Sequence, residues 1–209
     1  MKIVLARQRI GAGFGGAEGY VAMLAAALRS RGAEISLMAQ SVDAEVERGG
    51  FPVIRANCRA TNLWGVWSFA REVVRAVREL PDRILISFDR IPGARFIRAG
   101  DGSHAAYLDS MGQTTSAKFS VKHQMMLSLE RRTFTNPDLK MVIANSKMVA
   151  EEIRARHDVP AEKIRIVYTG LNSRPAGQSI SKKQARANLD LPDGARVILF
   201  AGHNYERKG

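Results

Sequence analysis

Short runs rich in Ile, Val and Leu recur along this chain, separated by longer stretches with helical period. The runs at 2–6, 34–39, 52–55, 83–88, 95–99, 140–144, 164–168 and 196–201 predict strands. They lack a clean polar–apolar alternation, as expected for strands covered on both faces. Between them, 16–30 places Tyr20, Met23, Leu24, Ala27 and Leu28 on one helical face and stops at Arg31-Gly32, a C-cap pattern. The span 63–80 repeats Val66, Ala70, Val73, Val74 and Val77 before Pro81. A third helix, 146–157, opens with Asn145-Ser146, either of which can cap it. A fourth, 181–188, opens with the capping box Ser181-Lys182-Lys183-Gln184.

Strand–helix–strand alternation with short connections predicts an α/β fold. With right-handed crossovers it becomes a doubly wound, mainly parallel sheet. Pro175, Gly177 and their polar neighbours read as a linker. The expected organisation is a first domain over 1–172, a linker and helix over 173–195, and the start of a second lobe over 196–209. One strand cannot form a domain, so this tail packs on the first domain, lies exposed or awaits further chain.

Composition narrows the class. Hydrophobic residues make up 45% of the chain, ordinary for a globular protein. A single cysteine, Cys58, excludes an internal disulfide framework and a multi-cysteine metal site. It reads as a small core residue in a reducing compartment. Neither a signal-peptide pattern nor a run of membrane-spanning length is present, so a cytoplasmic location is expected. Lys and Arg number 32 against 20 acids, a net charge of +12, which favours anionic partners. The basic residues are dispersed, with no basic arm, zinc-finger spacing or aromatic–basic RNA motif, which argues against nucleic acid.

The segment from Arg9 to Glu18 carries Gly11, Gly13, Gly15 and Gly16 between the first strand and the first helix. Glycines there let a ligand approach the backbone, and the helix start directs free N–H groups at it. Gly15 and Gly16 are the candidate phosphate or sugar contacts. The alternative is a tight turn that needs positive φ. The dinucleotide fingerprint is absent: the third glycine is misplaced and no acid ends the second strand.

Three stretches together resemble glycosyltransferase family 4. They are the Gly15-Gly16-Ala17-Glu18 turn with its helix, the stretch from Val142 through Asn145-Ser146 to Gly170-Leu171-Asn172, and Val197 to Gly202 followed by Glu206-Arg207-Lys208-Gly209. Ser87 to Gly93 and Ala99-Gly100-Asp101 are most similar to the lipopolysaccharide-core glucosyltransferases. The resemblance implies a Rossmann-like lobe of a GT-B fold. It also implies retaining transfer of a hexose from a nucleotide diphosphate sugar, the co-substrate, to a glycolipid or glycan acceptor, with no cofactor and no essential metal.

On that resemblance Arg207 and Lys208 match the basic pair set against the donor diphosphate, where fixed cations stabilise the leaving group. Asp101 could hold or deprotonate an acceptor hydroxyl, and His104 could bind donor or acceptor oxygens. The bland alternative is an Asp-Gly turn with a surface histidine. His203 stands where the family pattern leads one to expect Arg or a similar residue. His123 and His157 read as surface residues, and Trp64 and Trp67 as packing residues of their helix. The stretch 117–134 spaces Val121, Met125 and Leu129 by four among Lys118, Lys122, Arg131 and Arg132. It reads as a core-packed helix or as one lying on an anionic membrane; the family's lipid-linked acceptors favour the second, a peripheral site on the inner membrane face.

Family members are considerably longer, with a second lobe carrying paired glutamates. The chain therefore reads as an incomplete transferase with little activity alone. Two other readings compete. A GT-B sugar-nucleotide epimerase needs a carboxylate pair that the cleft loops do not obviously supply. A non-catalytic basic module would bind membrane or nucleic acid without turnover.

Overall fold

The computed structural model describes residues 1–58, 63–112, 119–170, 180–192 and 194–200. The strands are β1 (Lys2–Ala6), β2 (Arg9–Ile10), β3 (Glu34–Ala39), β4 (Ser41–Val42), β5 (Val53–Arg55), β6 (Ile84–Ser87), β7 (Phe96–Ala99), β8 (Met141–Ala144) and β9 (Ile164–Ile166). The helices are α1 (Gly16–Arg29), α2 (Ala44–Arg48), α3 (Leu63–Glu79), α4 (His104–Ser110), α5 (Val121–Phe134), α6 (Lys147–His157) and α7 (Lys182–Asn188).

Seven strands form one sheet in the order β5-β3-β1-β6-β7-β8-β9, and every neighbouring pair is parallel. Successive side chains of a strand point to opposite faces. Val4 and Ala6 of β1 therefore join one core with Phe69 and Val73 of α3, Leu129 and Phe134 of α5, and Val149 and Ile153 of α6. Ile3 and Leu5 join the other with Val21 and Ala25 of α1 and Val46 of α2. Each of the Val, Leu, Ile and Phe side chains among these contributes about 1.5–3 kcal/mol when fully buried. Both faces are thus covered, and the doubly wound α/β lobe expected from the sequence is present.

Strand order runs outward in one direction from β1 through β3 to β5, and in the other from β6 to β9. The switch point lies between β1 and β6, and ligands of open α/β sheets bind outside the carboxyl ends there. Residues 88–95 join parallel β6 and β7 without a helix. Ile91 and Ala94 of this connection are buried, and the Ala94 carbonyl accepts from Asn136 Nδ2 at 3.1 Å. The connection therefore packs as a short crossover and delivers Asp89 and Arg90 to the carboxyl edge.

Several local expectations are corrected. Trp64 and Trp67 lie on the outer side of α3, 69% and 40% exposed, and Arg71 stacks over the Trp67 ring. Phe69, Val73 and Ala76 fill the core instead. Ser181 caps α7 by accepting from Gln184 N, but the Gln184 side chain donates to Asn188 Oδ1, so the reciprocal half of the capping box is not made. The glycine-rich segment also holds β2, which pairs with β4 in a small second sheet.

The chain falls into two compact units, Met1–Thr169 and Gly170–Gly209. In the second, Arg186 donates to the carbonyls of Pro192 and Ala195, at 2.8 and 2.6 Å, and closes the turn after α7. The run expected as a strand at 196–201 forms none over its described residues 196–200, where Ile198 and Leu199 are exposed. An apolar run becomes a strand only where another strand completes its ladder. Among the described residues, no helix is long and apolar enough to cross a membrane.

Candidate functional site

Directly after β1, at the switch point, stands Arg7, 8% exposed. Its Nη1 donates to the Phe88 carbonyl at 3.2 Å, and its Nη2 donates to Glu18 Oε1 at 3.2 Å. Asp101 Oδ2 lies 3.8 Å from Nη2 and Asp89 Oδ1 4.0 Å from Nη1. One guanidinium thus gathers carboxylates from the first turn of α1, the connection after β6 and the loop after β7. Burial works against the Arg7 charge, but Asp89, Asp101 and Glu18 outweigh it and hold the pKa above its ordinary value. Burial pushes the Asp89 carboxyl up, opposed by Arg7 and by the Gln8 N–H, which donates to Asp89 Oδ2 at 2.7 Å. Carboxylates poised around a shared cation accept hydrogen bonds from sugar hydroxyls well. This cluster corrects the expectation that the cleft loops supply no carboxylate pair. Three acids far apart in sequence gave no local spacing to read. Arg7, a cation closing an apolar strand run, was the available signal.

The glycine-rich segment abuts this cluster. Gly11 has φ +139, and a Cβ there would sit 2.1 Å from Asp43 Cγ. Asp43 accepts from Gly13 N and caps α2 through Val46 N, so the glycines fold against a fixed acid. Gly15 has φ +148, a conformation essentially reserved for glycine, and a Cβ there would lie 2.8 Å from Glu18 Oε2. Gly16 has open space where its Cβ would be. No side chain caps the start of α1. The Glu18 carboxylate lies beside Gly15, so this turn presents donors and an acceptor together.

Asp101 and His104 sit in the loop from β7 to α4. Asp101 is half exposed and faces Arg7. Ser103 caps α4 by accepting from Ala106 N. His104 begins α4 and places Nε2 3.0 Å from His123 Nδ1, with the two rings stacked. Burial, then the Arg90 charge, lowers the His104 pKa, so the imidazole is neutral at pH 7.

Behind this loop lies Glu130 of α5, with no exposed surface. It accepts from Ser103 Oγ at 2.9 Å, Ala105 N at 3.2 Å, Arg90 Nε at 2.9 Å and the His104 N–H, and it pairs with His157 Nε2 at 3.2 Å. Burial alone would raise its pKa. The His157 contact, the Arg90 charge, the His104 N–H and the Ser103 hydroxyl prevail and hold it at about 2. The His157 side chain is therefore not a surface group but is locked against Glu130, and His123, half-buried, is paired with His104. The sequence stripe Val121, Met125, Leu129 drew attention away from Glu130. In the fold Leu129 is buried, Met125 packs on the core and Val121 is 75% exposed. The core-packing face is instead Leu129, Glu130, Thr133 and Phe134.

Lys122, Arg131 and Arg132 are exposed on α5. Arg132 borders a groove of about 430 Å³ with Trp67, Arg71, Arg75 and Arg78 of α3. The notch beside Asp89, Arg90, Gly100 and Asp101 measures about 20 Å³, room for one water but no sugar. Lys118, Gly202, His203, Arg207 and Lys208 lie outside the described residues. Among the described residues, no group of three His, Cys, Asp or Glu side chains is arranged to hold a metal ion.

A sequence model described as Glycosyltransferase Family 4 matches residues 14–174, most of the chain and every element from the glycine-rich turn to β9. This chain belongs to glycosyltransferase family 4. The family-4 chain also aligns with the crystal structure of WaaG, a glycosyltransferase involved in lipopolysaccharide biosynthesis. The TM-score is 0.75 at 16% identity, over 91% of this chain and 52% of that one. A glycosyltransferase from Rickettsia africae ESF-5 aligns with a TM-score of 0.51 at 13% identity, over 92% of this chain and 50% of that one. The chain spans about half the length of these solved structures. At such identities the likeness shows the fold, a Rossmann-like lobe of a GT-B glycosyltransferase. No curated protein matches it in sequence.

Proposed function

We propose that this lobe forms the acceptor side of a two-lobed retaining glycosyltransferase. That enzyme moves a hexose from a nucleotide diphosphate sugar to a glycolipid or polysaccharide of the cell envelope. The observation that carries the reading is the convergence of Glu18, Asp89 and Asp101 on Arg7 at the switch point of a family-4 lobe. Asp101, the most exposed of the three, accepts the hydrogen bond of an acceptor hydroxyl. Arg7 lies beside that carboxylate, 3.8 Å away, and holds it in place. His104, neutral and stacked on His123, flanks the same loop as a hydrogen-bonding group for sugar oxygens.

Gly15 and Gly16 let the donor approach the start of α1. Arg207 and Lys208 carry the charge of the leaving diphosphate, fixed cations acting where negative charge develops. Exposed Phe119 and Val121 beside Lys122 fit an anionic membrane surface on the cytoplasmic side, where a lipid-linked acceptor resides. Lys118 extends that basic stretch in sequence, and Arg131 and Arg132 extend it along α5. The family assignment favours transfer over epimerisation; the carboxylate cluster alone fits both. Incubation with labelled nucleotide sugars and a membrane lipid extract separates them. Label in the lipid or glycan fraction supports transfer, and an isomerised sugar nucleotide formed without acceptor overturns it.

A further inference from the structure

The buried and partly buried arginines of this lobe are not matched alike. Arg7 has Glu18, Asp89 and Asp101, and Arg90 has Glu130. Arg98 of β7 is 7% exposed, yet among the described residues no carboxylate pairs with it. Its Cζ sits 3.9 Å from the centroid of the Tyr20 ring, and its Nη2 donates to Thr169 Oγ1 at 2.7 Å. Its Nε is buried with no partner. Nη1 lies against Gly100, where a Cβ would come within 2.5 Å of it. Nearby, Asn145 donates to the Gly100 carbonyl at 2.8 Å while its Oδ1 is buried and unpartnered.

A buried charge without a counter-ion is unfavourable, and an aromatic face offsets only part of the cost. A planar guanidinium fixed on an aromatic ring, with donors left over, is suited to a phosphoryl group. We propose that Arg98 anchors an anion subsite at the carboxyl end of β7 that takes one phosphoryl group of the ligand entering this lobe. Tyr20 holds the guanidinium flat, Thr169 fixes its rotation, and Gly100, lacking a Cβ, lets Nη1 lie against the backbone. The subsite stands on Arg98 and its neighbours, independently of the transfer reaction.

The test titrates inorganic phosphate, against chloride at equal ionic strength, into the 209-residue protein. Melting and the Arg98 Nε–Hε NMR signal are followed. At about ten times its Kd, phosphate is expected to raise the Tm by roughly 3–6 °C and to move that signal. In Arg98→Met the shift disappears, with no loss of Tm in chloride because an unpaired buried charge has gone. Gly100→Ala keeps the charge but crowds Nη1, and it weakens phosphate binding at least tenfold. It decides the matter if Arg98→Met does not fold. An unmoved Arg98 signal at saturating phosphate, or equal Tm shifts in wild type and variants, overturns the proposal. Uridine diphosphate and a hexose 6-phosphate then identify the source. Tighter binding of the first through Arg98 places a donor phosphate there, and tighter binding of the second places a phosphorylated acceptor.

Discussion

Glu130 has no exposed surface, and it is stable as a carboxylate because side-chain and backbone donors surround it. Its pKa falls from 4.5 unfolded to about 2 folded. The stabilisation is therefore fully present above pH 4.5 and is lost as pH falls towards 2, a change of about 3 kcal/mol. Asp89, whose carboxyl is raised, acts in the opposite sense and offsets part of that loss. Urea denaturation between pH 6 and 2 should show a steep acid decline in wild type and a flatter one in Glu130→Gln. An unchanged slope in the variant would remove Glu130 from this role. Single residues were the least legible scale. Asp101 and His104 stand out in a Gly-Asp-Gly-Ser-His loop. Glu130 sits inside a stretch whose apolar spacing pointed elsewhere, and the partners of Arg7 become neighbours only once the sheet is assembled.

At the scale of elements, the turn between β1 and α1 depends on two glycines with positive φ. Gly11→Ala forces a Cβ into the Asp43 carboxylate and should cost about 2–3 kcal/mol in urea unfolding. Asp43→Ala, which loses the α2 cap, should cost about 1 kcal/mol. Equal costs would mean that the Asp43 cap, not the glycine conformation, dominates this turn. Elements with strong local signals were legible, because β1, β3, α1, α3 and α6 carry period and caps in contiguous sequence. The run at 196–201 was misread because its β pattern is local whereas a strand is a paired state. The outward-facing tryptophans were misread because size alone favours burial.

For the whole molecule, order reversal beside β1 and β6 brings Arg7, Asp89 and Asp101 to one edge of a family-4 lobe. The fold class followed from the alternation of elements, whereas the site required the topology. A vesicle flotation assay belongs at this scale. With anionic lipid, binding should fall as salt rises and weaken further when Lys122, Arg131 and Arg132 are changed together to Gln. Salt-independent binding would point away from an electrostatic membrane face.

The most direct test of the central reading is sugar transfer by the protein isolated from its source cells, assayed with labelled nucleotide sugars and membrane lipid acceptors, in wild type and Asp101→Asn. The account predicts label in the lipid or glycan product and a loss of about 100-fold or more in the variant, with the fold retained. Transfer by Asp101→Asn at the wild-type rate would contradict the placement of the acceptor at the Arg7 cluster, and no transfer by either protein with any nucleotide sugar would contradict the proposed function itself.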